Sequence, residues 1–210
     1  MGRGTEMMAT SYDTYIQAEV AKLEMFAKPD WYDQTLADLA RHEGYREFAY
    51  PDPLSFIGRK FKSQKWGYRP AEEILAELHI PHSDWGKGAP WTVGFGETKG
   101  ITPLHRMELN VAKRRLAKSM MEHSVELGFV LPEWKTYPVV VKGVLVNLIY
   151  NMGRGTLATF KTTLGMIKAR KFATAGVNLK KSLWFKQTKS RAVELVNRLV
   201  TGEIDPDHQI

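Results

Sequence analysis

The chain of 210 residues contains no cysteine. That excludes disulfide staples, thiolate metal sites and a cysteine nucleophile. No stretch approaches the ~20 consecutive apolar residues that a membrane-spanning helix needs, so stable membrane insertion is not expected. The first thirty residues lack a basic start leading into an apolar core and a small-residue cleavage site, and export by a cleaved signal is not expected. Internal repeats and low-complexity tracts are missing as well. Histidines are few: His79 and His82 flank Ile80-Pro81 with no third ligand beside them, and Pro81 opposes a regular helix there. His42-Glu43 is not a zinc-protease pair, because Arg46 stands where the second histidine would be. Gly94 and Gly96 form too short a glycine pattern for a phosphate loop. Neither a metal nor a cofactor is therefore expected.

What is present is an ordinary globular composition, 43% hydrophobic and 25% charged. Basic residues exceed acidic ones, for a net charge of +7. A positive surface favours a polyanionic partner, whether nucleic acid, anionic membrane or acidic wall polymer, and the sign alone does not choose among them. The runs Lys113-Arg114-Arg115, Lys168 to Lys171 and Lys180-Lys181 are dispersed, in the manner of solvated helix faces.

Apolar spacing of three and four predicts a helix from Tyr12 to Lys28 and another from Asp33 to Glu43, ended by Gly44. Tyr45 to Tyr50 reads as a strand, Pro51-Asp52-Pro53 as a turn. Residues 54–90 read as an insertion with one short helix at Ala71 to Leu78. Trp91 to Gly96 alternates large and small, predicting a strand whose bare face carries Thr92. Thr102-Pro103 reads as the cap and first position of a helix reaching about residue 127. Val139 to Met152 is apolar nearly all round, which requires burial on every side, and Gly153 ends it. Further helices are expected around Phe160 to Ile167, at Phe172 to Leu179 and at Ser190 to Val200. The expected fold class is α+β, predominantly helical and two-lobed: an N-terminal extension with one helix (1–35), a small β-containing lobe (36–101) and a helical lobe (102–210). A long ligand would lie in the cleft between such lobes.

One constellation points to chemistry. Glu43 ends a predicted helix, where the helix dipole disfavours a negative charge and so suits a proton donor. Asp52 follows nine residues later in a turn, placed to act as an ionised carboxylate, and Thr92 offers a hydroxyl to hold a water. Two carboxyls and a positioned hydroxyl can hydrolyse a glycosidic bond without a metal. Tyr150, Trp184 and Phe185 could add apolar and hydrogen-bonding surface.

With these residues in view, the chain resembles the phage-type lysozymes, the muramidases and endolysins of glycoside hydrolase family 24. Glu43-Gly44 with a following aromatic and Ala49-Tyr50 is similar to the family's acid motif, and Trp91-Thr92-Val93-Gly94-Phe95-Gly96 to its threonine strand. The likeness continues through Asn147 to Gly153, Phe160 to Ile167, Ala175 to Leu179 and Ser182 to Arg191. It implies a lysozyme-like fold and hydrolysis of the β-1,4 bond between N-acetylmuramic acid and N-acetylglucosamine. Bacterial peptidoglycan is then the partner rather than nucleic acid, and a monomer is expected. By the same likeness Glu43 is the acid, Asp52 the water-directing carboxylate and Thr92 its helper, with substrate contacts at Thr98, Tyr150, Thr163 and Asn178. Three features depart from the pattern: forty residues separate Asp52 from Thr92, Glu97 stands where many relatives have histidine, and an extra helix precedes the shared region. The long gap leaves Asp84 as a rival for the second carboxylate. The implied role is a phage endolysin that collects in the host cytoplasm until the membrane is breached, or a lysin carried in the virion. A lytic transglycosylase and a non-catalytic basic binding module are the alternatives.

Overall fold

The computed structural model describes residues 14–21 and 28–210. Its fold is α+β and predominantly helical, with one two-stranded antiparallel sheet among the described residues. Two compact units divide the chain: Ala40–Leu116, and Met1–Leu39 together with Ala117–Ile210.

The first helix, α1, is described over residues 14–21, where Ile16 and Val20 are buried one turn apart. The remainder of the helix expected from Tyr12 to Lys28 falls largely outside the described residues. Helix α2, Tyr32–Glu43, leads into the smaller unit. Gly44 takes φ +68°, the left-handed conformation that ends helices and that glycine adopts without steric cost.

In the smaller unit β1 (Arg46–Pro51) pairs with β2 (Trp91–Gly94), with Tyr50 opposite Thr92 and Pro51 opposite Trp91. Between them lie α3 (Phe56–Lys60), α4 (Ala71–Glu77) and a 3-10 turn at His82–Gly88. These pieces build the unit's core: Ile57, Ala71 and Leu75 pack with Ala49 and Trp91. Three of the tryptophans meet there. Trp66 stands edge-on to Trp91 at 5.9 Å, and the Trp91 indole donates to the Trp85 carbonyl at 3.0 Å.

The helix expected to begin at Thr102 begins later, as α5 (Leu109–Val130). Residues 105–107 are instead drawn out along β1: Ala49 N–H donates to the His105 carbonyl at 3.0 Å and Met107 N–H to the Glu47 carbonyl at 2.8 Å. The backbone groups on the strand's outer edge need partners when buried, and this segment supplies them.

The larger unit is helix packed on helix. In α6 (Val139–Thr159) every residue from Val144 to Ile149 is buried, as its all-round apolar pattern requires, and Gly153 breaks the helix at φ 75°, ψ 160°. Each such aliphatic side chain contributes about 1.5–3 kcal/mol by leaving water. Then come α7 (Lys161–Lys168), α8 (Phe172–Leu179), α9 (Leu183–Thr188) and α10 (Ser190–Thr201). Helix α9 is too short to show a period. Its evidence is the Ser182 hydroxyl accepting the Phe185 N–H, and buried Trp184 donating to Asn151 Oδ1 at 2.7 Å. Gly176 lets α8 close onto α10, since a Cβ there would stand 2.9 Å from Val200 Cγ2.

Candidate active site

Glu43 is the last residue of α2, and the turn at Gly44 sends the chain directly into β1. Its carboxyl reaches over the glycine backbone that follows β2: a Cβ added to Gly96 would lie 3.8 Å from Glu43 Oε2 and meet nothing else within 4 Å. The surface beside this acid is thus bare backbone, accessible to a ligand.

Across the ladder, Tyr50 and Thr92 stand directly opposite one another. Burial pushes the Tyr50 phenol above its ordinary range. Arg46 and Thr92 oppose that shift, while the Glu43 charge adds to it. Thr92 is itself buried, 8% exposed, so the face expected to be bare is not. Gly94 is covered too: a Cβ there would lie 2.8 Å from Met107 Sδ. Gly94 therefore serves the close approach of Met107, and only Gly96 leaves open space. Val93 and Glu97 exchange both backbone hydrogen bonds, at 2.9 and 3.0 Å, closing a tight turn in which Gly94 and Gly96 take φ of 67° and 98°.

Asp52 sits one residue past β1 and is held from every side. Its N–H donates to the Gly88 and Pro90 carbonyls, both at 3.1 Å, its Oδ1 accepts Leu54 N–H at 2.6 Å, and its carbonyl accepts Ser55 N–H at 2.9 Å. Helix α3 presses on the same turn through Gly58, where a Cβ would come within 2.0 Å of the Asp52 carbonyl oxygen. The rival Asp84 lies in the 3-10 turn, its Oδ1 2.9 Å from Lys87 Nζ on the surface.

Thr98 is exposed in the turn after β2, its carbonyl accepting Ile101 N–H at 3.3 Å. Glu97, in place of the histidine of many relatives, pairs with Arg115 at 2.7 Å. The other three expected substrate contacts belong to the larger unit. Tyr150 lies against the His123 ring, centroids 5.1 Å apart. Thr163 is buried, and its hydroxyl accepts a hydrogen bond from Asn178 Nδ2 at 2.9 Å, tying α7 to α8.

Sequence reasoning placed Tyr50 in the acid motif without its pairing to Thr92, and did not single out Gly58. The pairing of Tyr50 with Thr92 depends on register, which neither strand carries within its own residues. Gly58 carried no signal short of the contact itself. Among the described residues no group of three or more His, Cys, Asp or Glu could hold a metal ion. The His82 ring packs on Trp85 at 4.4 Å instead.

Comparison with known proteins bears on this arrangement. The chain is similar to "Probable T4-type lysozyme 1" of Dictyostelium discoideum, 29% identical over 72 residues, which is 34% of this chain and 42% of that protein. It is also similar to "Probable T4-type lysozyme 2" of the same organism, 33% identical over 63 residues, 30% of this chain and 37% of that protein. The chain thus spans about two fifths of the length of these curated relatives. The sequence model of the phage lysozyme family matches residues 80–200. That stretch includes Thr92, Thr98, Tyr150, Thr163 and Asn178, and begins after Glu43 and Asp52. Covering more than half of the 210 residues, it identifies the chain as a member of the phage lysozyme family.

Proposed function

We propose that the protein is a peptidoglycan hydrolase that cleaves the β-1,4 bond between N-acetylmuramic acid and N-acetylglucosamine. The observation that carries this reading is the Glu43 carboxyl lying over the bare backbone of Gly96 beside the Tyr50–Thr92 pair. Family membership supplies the substrate class. Glu43 donates its proton to the glycosidic oxygen as the bond from that oxygen to the sugar's anomeric carbon breaks. A water held by Thr92 attacks that carbon, and Asp52 takes the proton the water gives up. Thr98, Tyr150, Thr163 and Asn178 are the proposed substrate contacts, with Thr163 and Asn178 acting as the bonded pair they form.

Turbidity clearing of permeabilised Gram-negative cells tests the reading. Glu43→Gln should lower the rate by about 10²–10⁴-fold, the usual contribution of a general acid. An unchanged rate would leave only a basic binding module. Mass spectrometry of the released fragments should show reducing ends. Anhydro ends would instead mean that the sugar's own hydroxyl attacks, as in a lytic transglycosylase. Asp52→Asn should nearly abolish clearing while Asp84→Asn should not, and the reverse pattern would transfer the second carboxylate to Asp84. Supporting Asp52 is its over-determined turn one residue past β1, against a surface ion pair for Asp84.

The reading extends to an endolysin role. The enzyme would collect in the host cytoplasm and reach the wall after the membrane is breached, or would be carried in the virion. No described helix is long and apolar enough to cross a membrane. Fractionation of infected cells before and after lysis distinguishes these routes from each other and from a role outside infection.

A further inference from the structure

The larger unit carries a basic groove of about 540 Å³ that none of the chemistry above uses. One wall is a single face of α7: Lys161, Leu164, Gly165 and Lys168 fall at the i, i+3, i+4, i+7 spacing that aligns side chains along a helix. The opposite wall brings Arg154 and the half-exposed ring of Phe129, with the guanidinium 5.7 Å from the ring centroid. The floor is open. A Cβ added to Gly155 or Gly165 would meet nothing within 4 Å. Three lining side chains are cationic and none is acidic. Among the described residues neither Lys161 nor Lys168 has an ion-pair partner.

We propose that this groove binds a phosphate-bearing amphiphile, the headgroup of an anionic lipid with the first methylenes of its acyl chain. Lysines are compact, mobile point charges that suit a phosphate. Those of α7 stand two turns apart, about 10 Å along the axis, and their four-carbon arms reach in from both ends over Leu164. Arg154 and Tyr15 both lie against the Phe129 ring, and Val130 with the exposed Ala158 supplies the apolar lining for methylenes. A volume within the usual 300–1,000 Å³ of ligand sites suits one headgroup. The groove is distinct from the proposed site of hydrolysis, because its lining includes neither Glu43, Asp52 or Thr92 nor any of the four proposed substrate contacts.

Calorimetric titration with dihexanoyl phosphatidylglycerol, below its micelle concentration, is the test. Dihexanoyl phosphatidylcholine and inorganic phosphate serve as comparison probes. The expected result is one saturable site, filled at least about tenfold more tightly by phosphatidylglycerol than by either comparison probe. A lysine near an anionic headgroup contributes roughly fivefold, so Lys161→Gln with Lys168→Gln should weaken binding about thirty-fold. Lys180→Gln with Lys181→Gln, the same charge removed elsewhere on this unit, should change it less than about twofold. Gly165→Leu should block the groove while favouring the helix, with wall-clearing activity intact in all three variants. Equal losses in the two lysine pairs would reduce the effect to net charge and overturn the proposal. So would phosphate binding as tightly as the lipid, phosphatidylcholine matching phosphatidylglycerol, or Gly165→Leu binding normally.

Discussion

The smaller unit, Ala40–Leu116, and the larger one, built around α5 to α10, solve the same packing problem by different means. In the larger unit long helices bury aliphatic faces against one another, and a buried arginine is held between two carboxylates. Arg198 bonds both oxygens of Asp38, the second at 3.0 Å, and lies 2.7 Å from Glu194. The smaller unit has short elements joined by turns. It gains its order from close approaches at glycines, to the Asp52 backbone at Gly58 and to side chains at Gly67, Gly88 and Gly94, from indole hydrogen bonds and from a two-stranded ladder. The tightest of them presses on the Asp52 turn. The contrast teaches that stability and the geometry of the Asp52 turn are separable here: the buried ion pair belongs to the helical unit, and the Gly58 contact to the smaller one.

Asp38→Ala should produce the largest effect on stability. It leaves Arg198 buried without its main partner, which costs about 3–5 kcal/mol. Urea unfolding should show this as a lower midpoint, while cleavage per folded molecule, assayed well below that midpoint, stays near the parent's. Gly58→Ala should do the reverse. Its methyl collides with the Asp52 carbonyl, a backbone atom that cannot swing aside, for about 1–3 kcal/mol of overpacking. Displacing the Asp52 turn should then lower cleavage per folded molecule by more than tenfold, since small misplacements in a site are amplified in rate. If the two variants lose stability and activity in the same proportion, the separation between the units does not hold.

A third test is smaller and concerns alkaline pH. Burial, the hydrogen bond to Glu133 and that carboxylate's charge push the Tyr137 phenol up to about 12. In the unfolded chain a tyrosine ionises near 10. The folded state therefore holds its proton more tightly, so this contribution to stability is complete below about pH 10 and is lost as pH rises toward 12. Burial also raises Tyr45 and Tyr50 in the smaller unit, with the same sign. Melting temperatures measured between pH 9 and 12 should fall less steeply for Tyr137→Phe than for the parent. A parallel fall would place the alkaline sensitivity elsewhere.

Much of this was legible locally. The apolar face of Phe172–Leu179, the all-round apolar run ended by Gly153 and the helix reaching Thr201 each carry a period or a breaker within their own residues. Gly44 after Glu43 marks the helix end that presents the acid. The start of α5 was not legible, because Thr102-Pro103 has the chemistry of a cap while the edge of β1 claims the next residues as ladder partners. Thr92 looked accessible because alternation tells faces apart and not what covers them.

Periodicity, capping residues and glycine positions were determined by the chain itself, since each depends on neighbours a few residues away. They are enough for an α+β, mainly helical protein with Glu43 at a helix end and Thr92 in a strand. Tertiary structure alone decided that Tyr50 stands opposite Thr92, that Gly58 supports the turn of Asp52 and that Lys161 and Lys168 line a groove with Phe129. Those contacts join residues whose separation along the chain carries no local energetic signature, so only the packed fold brings them within reach.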